Sequence, residues 1–152
     1  MVQVRTARLA DIDACASLLG VLFGQEAEFT PEYDVQARSL TMILEHPETG
    51  RILVYEEKGR ILGMVLLLFT ISTALGGRVA LLEDMVVMPG RRRKGIGAKL
   101  MERAIIEAET AGCLRVTLLT DLDNAAGHGF YQSAGFHHSP MVVFRKQLKG
   151  GA

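Results

Sequence analysis

Apolar residues change their spacing several times along the 152-residue chain, and each change marks an element. Residues 2–6 alternate apolar and polar positions, the period of a half-buried strand. After Asp11 the apolar positions become Ile12, Ala16, Leu19 and Leu22 or Phe23, one face of a helix that Gly24 ends. A second helix is predicted over about 31–45, closed by Pro47 and Gly50. Residues 52–56 and 61–71 form a hairpin around Lys58-Gly59-Arg60, and the second run, almost unbroken in its apolarity, reads as a central buried strand. A turn through Gly76-Gly77 leads into another apolar strand, 79–88, which Pro89 and Gly90 stop. Then the period becomes helical. Ile96, Leu100, Met101, Ala104, Ile105 and Ala108 share one face, Lys99, Glu102, Arg103 and Glu107 take the other, and Gly112 ends the helix. A strand over 115–120, a short helix capped by Asp123 or Asn124, and a final strand holding Val142, Val143 and Phe144 complete the chain.

This order defines an α/β mixture in one domain, residues 1–148, with a frayed tail at 149–152. Hydrophobic content of 49% provides for a globular core, and a net charge of zero argues against a dedicated nucleic-acid binder. The most apolar run falls well short of the ~20 residues of a membrane span, and the first residues lack a signal peptide's apolar core. Cys15 and Cys113 have neither metal-ligand nor redox spacing and read as buried small hydrophobes. A cytoplasmic protein with no metal is expected. Charge is nevertheless uneven. No Lys or Arg lies between Arg8 and Arg38, while Asp11, Asp13, Glu26, Glu28, Glu32 and Asp34 do. That half either presents a negative surface to a cationic partner or simply solvates two helices.

The basic half carries the strongest chemical signal. Arg92-Arg93-Lys94-Gly95-Ile96-Gly97 joins the apolar strand to the amphipathic helix. Strand, basic glycine turn and helix form a layout that binds phosphates, because glycines admit the anion to the backbone N–H groups and the helix N-terminus adds positive potential. A pyrophosphate is expected here. The spacing does not fit a nucleotide P-loop, and it supplies too few glycines for a dinucleotide fingerprint. A solvated basic turn is the competing reading.

Two motifs bear on that choice. Arg92-x-x-Gly95-x-Gly97 follows Val87-Met88-Pro89, and Asn124 precedes Phe130-Tyr131-x-x-x-Gly135-Phe136. Together, in this order, they resemble the GNAT superfamily of acetyl-CoA-dependent N-acetyltransferases, most sharply over 82–136. The resemblance implies a mixed, mostly antiparallel sheet flanked by helices, with a splayed parallel strand pair at the CoA site. It implies acetyl-CoA as co-substrate, an amine as acceptor, and an association into homodimers. By the same resemblance, the backbone of Met85, Val86 and Val87 pairs with pantetheine. Arg92, Arg93, Lys94, Gly95, Ile96, Gly97 and Ala98 hold the pyrophosphate, and Asn124 and Tyr131 contact the CoA arm. Gly127 departs from the family pattern, where Ala is frequent, and loosens the expected helix by about 1 kcal/mol.

Acetyl transfer needs a neutral amine, a stabilised oxyanion and a protonated leaving thiolate. Tyr131, a phenol with an ordinary pKa of about 10, is the candidate acid; packing its helix on the sheet is the alternative role. Glu83 is the candidate base, acting through water as in polyamine-type members of the family. On a regular strand its neighbour Asp84 leaves the opposite face, so one of the two meets the amine; both could equally be structural charges. The acidic N-terminal half points to a small cationic amine. A protein amine, or a non-catalytic acetyl-CoA-binding regulatory module, are the alternatives.

Overall fold

The structure, a computed structural model, describes residues 1–25, 32–92 and 94–151. It divides into two compact units, Met1–Leu119 and Thr120–Ala152. The first begins with β1 (Val2–Thr6), passes through a short turn of 3₁₀ helix at Leu9–Asp11, and continues as α1 (Ile12–Gln25) and α2 (Tyr33–Glu45). Then come β2 (Gly50–Glu57), β3 (Arg60–Ser72), β4 (Gly77–Val87), α3 (Ile96–Thr110) and β5 (Val116–Leu118). The strands lie in sequence order in one sheet; the first four are antiparallel and β5 is parallel to β4. This is the mixed, mostly antiparallel sheet that the family resemblance implied.

Local chemistry explains the boundaries. Lys58 and Gly59 both have positive φ (50° and 76°), the two-residue turn whose twist suits a β-hairpin. Helix α3 ends with Gly112 at φ 81°; the Cys113 N–H bonds to Ala108 O and the Gly112 N–H to Glu109 O, so a left-handed glycine satisfies the last carbonyls. The sheet is covered on both faces. Ile52, Val54, Met64, Leu66 and Val86 pack with Cys15, Ala16, Leu18 and Leu19 of α1 and Leu40 of α2. Helix α3 covers the other face with the stripe read from the sequence: Ile96, Leu100, Met101, Ala104 and Ala108 are buried and Ile105 is half-buried.

The second unit contains α4 (Ala125–Ser133). Residues 141–148 carry no regular structure, so the final strand expected at Val142, Val143 and Phe144 is not formed. β-branched and aromatic residues favour a pleated backbone, but a strand exists only where a neighbour completes its hydrogen bonds, and no strand is assigned in this unit among the described residues.

The acidic N-terminal half also differs from expectation. Asp11 is buried, with 8% of its surface exposed. It accepts two bonds from Arg5, Nη1 to Oδ2 at 2.7 Å and Nη2 to Oδ1 at 3.1 Å, and a third from the Arg8 backbone N–H at 2.7 Å. Arg5 in turn reaches Glu56 on β2 through Nε at 3.0 Å. Asp13 accepts from the Tyr33 hydroxyl. Asp11 is therefore a structural charge rather than part of a negative surface; Glu26 and Glu28 lie outside the described residues. The hydrogen bonds from Arg5 lower the Asp11 pKa. A depressed folded-state pKa contributes stability that is fully present above the ordinary carboxylate value of about 3.9 and is lost as pH falls through the folded value. Asp11→Ala should accordingly cost about 3 kcal/mol in urea unfolding at pH 7, because it removes the two-point partner of the half-buried Arg5 and leaves that guanidinium to Glu56. The gap between variant and wild type should narrow as the pH approaches the acid limit of the native state. A gap independent of pH would mean that lost packing, not the ion pair, is responsible.

Candidate active site

Strand β4 contains the irregularity that sequence periodicity could not reveal. Leu82 pairs with Leu67 and Glu83 with Leu66, yet the next pair on β3 is Met64 with Val86. Two residues of β4, Asp84 and Met85, therefore stand opposite Val65, which is a β-bulge. Asp84 sits at φ 54°, a left-handed conformation that Asp tolerates better than most residues. The bulge also explains an apparent contradiction. Leu82 and Val86 are four positions apart and would share a face in a regular strand, but pairing puts them on opposite faces. The regular alternation of the strand therefore fails between Asp84 and Met85, one step beyond Glu83. Glu83 does keep the face of its partner Leu66, the one packed by α1 and α2.

The other edge of β4 matters as much. Its parallel ladder with β5 joins Ala80 to Val116, Leu81 to Thr117 and Leu82 to Leu118, and stops there. From Glu83 to Val87, β4 has no strand partner on that edge among the described residues. Met85, Val86 and Val87 thus lie on the stretch of β4 that keeps its ladder with β3 but has no strand on its other edge among the described residues.

Beyond β4 the chain turns through Gly90 (φ 87°) and reaches α3 through Gly95 (φ 80°). A Cβ would meet no neighbouring atom within 4 Å at either position, so backbone conformation rather than space favours glycine. Gly95 is the N-cap and offers no side-chain acceptor. The first helical bond, Lys99 N–H to Gly95 O at 3.1 Å, leaves the N–H groups of Ile96, Gly97 and Ala98 ahead of it. Gly63 on β3 holds this end of the helix against the sheet. A Cβ there would lie 3.0 Å from Leu100 Cδ1 and 3.2 Å from Ile96 Cγ2. Among the basic residues, Arg91 pairs with Glu57 at 3.4 Å and Arg92 Nε approaches Val87 O at 3.4 Å. Lys94 is exposed, and Arg93 lies outside the described residues.

Within the second unit, Asn124 caps α4: its Oδ1 accepts the Gly127 N–H at 3.1 Å, and its Nδ2 donates to Thr120 Oγ1 at 3.1 Å. His128 Nε2 lies 2.9 Å from the Asp121 carbonyl. The Tyr131 ring packs edge-on against Phe130 and Phe136, with centroids 5.4 and 6.2 Å apart. Cys15 is buried and its thiol pKa is pushed up to about 12 by desolvation, which leaves it a poor nucleophile.

A sheet whose fourth strand bulges and parts from its parallel neighbour, followed by a glycine-capped helix, defines the acetyltransferase class suggested by the sequence. The Acetyltransferase (GNAT) family model matches residues 13–136, and the chain belongs to that family of N-acetyltransferase enzymes. The chain is 31% identical over 144 residues to the uncharacterized N-acetyltransferase YhfO of Bacillus subtilis, covering 93% of each protein. It is 26% identical over 138 residues to an aminoglycoside N(6')-acetyltransferase type 1 of Acinetobacter genomosp. 13, covering 88% of this chain and 94% of that one. In fold it is similar to a possible acetyltransferase from Clostridium difficile 630, with a TM-score of 0.88 at 17% identity over 98% of this chain and 99% of that one. No helix among the described residues is long and apolar enough to cross a membrane.

The bulge makes a prediction of unusual sign. In a regular strand Val is more stable than Gly by up to about 1 kcal/mol. At position 84 the order should reverse: Asp84→Gly should be more stable than Asp84→Val by about 1–2 kcal/mol, since both lose the carboxylate but only valine strains a left-handed backbone. Equal or inverted stabilities in chemical denaturation would remove the bulge from this account.

Proposed function

We propose that the protein transfers the acetyl group of acetyl-CoA directly to a primary amine in a ternary complex, and that the acceptor is a small cationic amine. The observation carrying this reading is the open edge of β4 at Met85–Val87 leading into the glycine-capped N-terminus of α3. An extended pantetheine arm needs main-chain donors and acceptors on a strand edge. A pyrophosphate needs unengaged N–H groups and positive potential. Both are adjacent along one stretch of chain. Holding donor and acceptor together supplies much of the rate enhancement.

In this reading Met85, Val86 and Val87 pair with pantetheine, and a main-chain N–H there polarises the thioester carbonyl. The amides around Lys94, Gly95, Ile96, Gly97 and Ala98 take the pyrophosphate with Arg92 beside them, and Arg93 has the same role by the motif. Asn124 bonds the CoA arm. The acceptor nitrogen forms its bond to the carbonyl carbon as the carbon–sulfur bond breaks. Glu83 removes the amine proton through water, and Tyr131 protonates the departing thiolate. The cationic acceptor is supported by the likeness to an aminoglycoside acetyltransferase and by exposed Glu32 and Asp34 at the start of α2.

Thiol release from acetyl-CoA across polyamines, aminoglycosides, amino sugars and peptides tests this reading. Turnover should concentrate on small polycations; turnover of peptides alone would replace the acceptor class, and acetyl-CoA binding without turnover of any amine would indicate a sensor. With the best acceptor, Tyr131→Phe should slow the chemical step about 10²-fold and leave acetyl-CoA affinity within twofold. Unchanged turnover, with chemistry limiting the rate, would reduce Tyr131 to a packing residue.

A further inference from the structure

Strand β1 forms one edge of the sheet, and its hydrogen bonds fix which of its backbone groups face outward. The Lys58 N–H donates to Met1 O at 3.3 Å, and the Ala7 N–H donates to Ile52 O at 2.8 Å. With the register running from Val2↔Glu57 to Thr6↔Leu53, these bonds direct the N–H and C=O groups of Met1, Gln3, Arg5 and Ala7 toward β2. Those of Val2, Val4 and Thr6 point the other way, where no strand lies among the described residues.

Such an edge is a template for a further strand. The residues beside it would favour one, since Val2, Val4 and Ile106, with Lys99, Glu102 and Arg103, line a groove of about 360 Å³ between β1 and α3. Val2 and Ile106 are exposed there. A second copy of the chain fits the pattern of outward groups. Antiparallel pairing about a two-fold axis at Val4 would set Val4 opposite Val4 and Val2 opposite Thr6, so each outward group would meet its complement.

Two guanidinium groups stand against that pairing. Arg103 Nη1 donates to Val4 O at 3.1 Å, and Arg5 Nη1 donates to Thr6 O at 3.2 Å. Arg103 is itself held in place: its Nε and Nη2 both reach Glu107 Oε1, at 3.1 and 2.9 Å, which leaves the third nitrogen of the fork for the strand. An incoming strand would exchange this charge-assisted bond at Val4 for a neutral one, and a two-fold makes both copies give it up. We infer that Arg103 is an edge guard: it closes the β1 edge against a second copy of this chain. Arg5 does the same at Thr6, but Arg5 is also tied to Asp11 and Glu56, so Arg103 is the residue on which the role can be tested alone. The competing role is a simple tie between β1 and α3. Removing a tie costs stability, whereas removing a guard creates a new contact.

Arg103→Met keeps the long stem and removes the donors. Sedimentation and amide hydrogen exchange over a range of protein concentrations test the inference, with thermal unfolding as a check on folding. In wild type, exchange at Val4 and Thr6 should not depend on concentration. Arg103→Met should strengthen self-association at least about tenfold over wild type, the scale of one hydrogen bond to a charged group. Protection of the Val4 and Thr6 amides should grow with concentration in the same variant. Adding Val2→Lys, which sets a charge on the new contact, should return association to the wild-type level. If Arg103→Met does not fold, Glu107→Ala, which frees the guanidinium from its anchor, should give both changes to a smaller extent. A folded variant that is less stable but no more associated than wild type would make Arg103 a tie and overturn the inference. Association that leaves Val4 and Thr6 unprotected would use another surface and overturn it as well. So would concentration-dependent protection of these amides in wild type, because the edge would then be open despite Arg103.

Discussion

The function proposed for this protein depends on β4 keeping one neighbour along its length while losing the other. It pairs with β3 from Gly77 to Val87, but with β5 only as far as Leu82. The bulge at Asp84 and Met85 begins two residues after that last parallel pair. A bulge bends its strand and increases local twist, and β5 ends at Leu118, so the pairing is not resumed beyond it. The cost is a non-glycine residue in the left-handed region, and a strained backbone persists only where surrounding structure over-determines it. Here Val86 in the core below and the β3 ladder beside it supply that constraint.

The strand edge would be of little use if the helix that follows were free to wander. Gly63 lets Ile96 and Leu100 approach β3 closely, so the first turn of α3 is pinned to the same sheet that carries the open edge. The loop between them can then be short and glycine-bounded. Its charges are not all available to a ligand: Glu57 engages Arg91, and Arg92 leans toward the end of β4. Positive potential at the site therefore comes from the uncapped amides of the first turn of α3 as well as from basic side chains.

Much of this was legible in the sequence, and the rest was hidden for identifiable reasons. The stripe of α3 emerged because buried and exposed positions differ in polarity, and Gly112 and Lys58-Gly59 were legible because positive φ selects glycine and a few polar residues. The bulge was invisible because Leu82 and Val86 are apolar whichever face they take. The final strand at Val142, Val143 and Phe144 was misread because propensity does not supply a pairing partner. Asp11 was misread because a count of acidic residues cannot see Arg5, six positions away in sequence and across a corner of the fold. Within the proposed site, the glycine loop and Asn124 are assigned by motif.

The central claim is that the donor lies along the open edge of β4 and ends at the N-terminus of α3. Amide hydrogen exchange with and without saturating acetyl-CoA tests it most directly, because it reads the very N–H groups in question. The account predicts new protection concentrated at 85–87 and 96–98, with little change along β1 and β2. Protection confined to other segments, with exchange at 85–87 and 96–98 unaltered by a ligand shown to be bound, would contradict it.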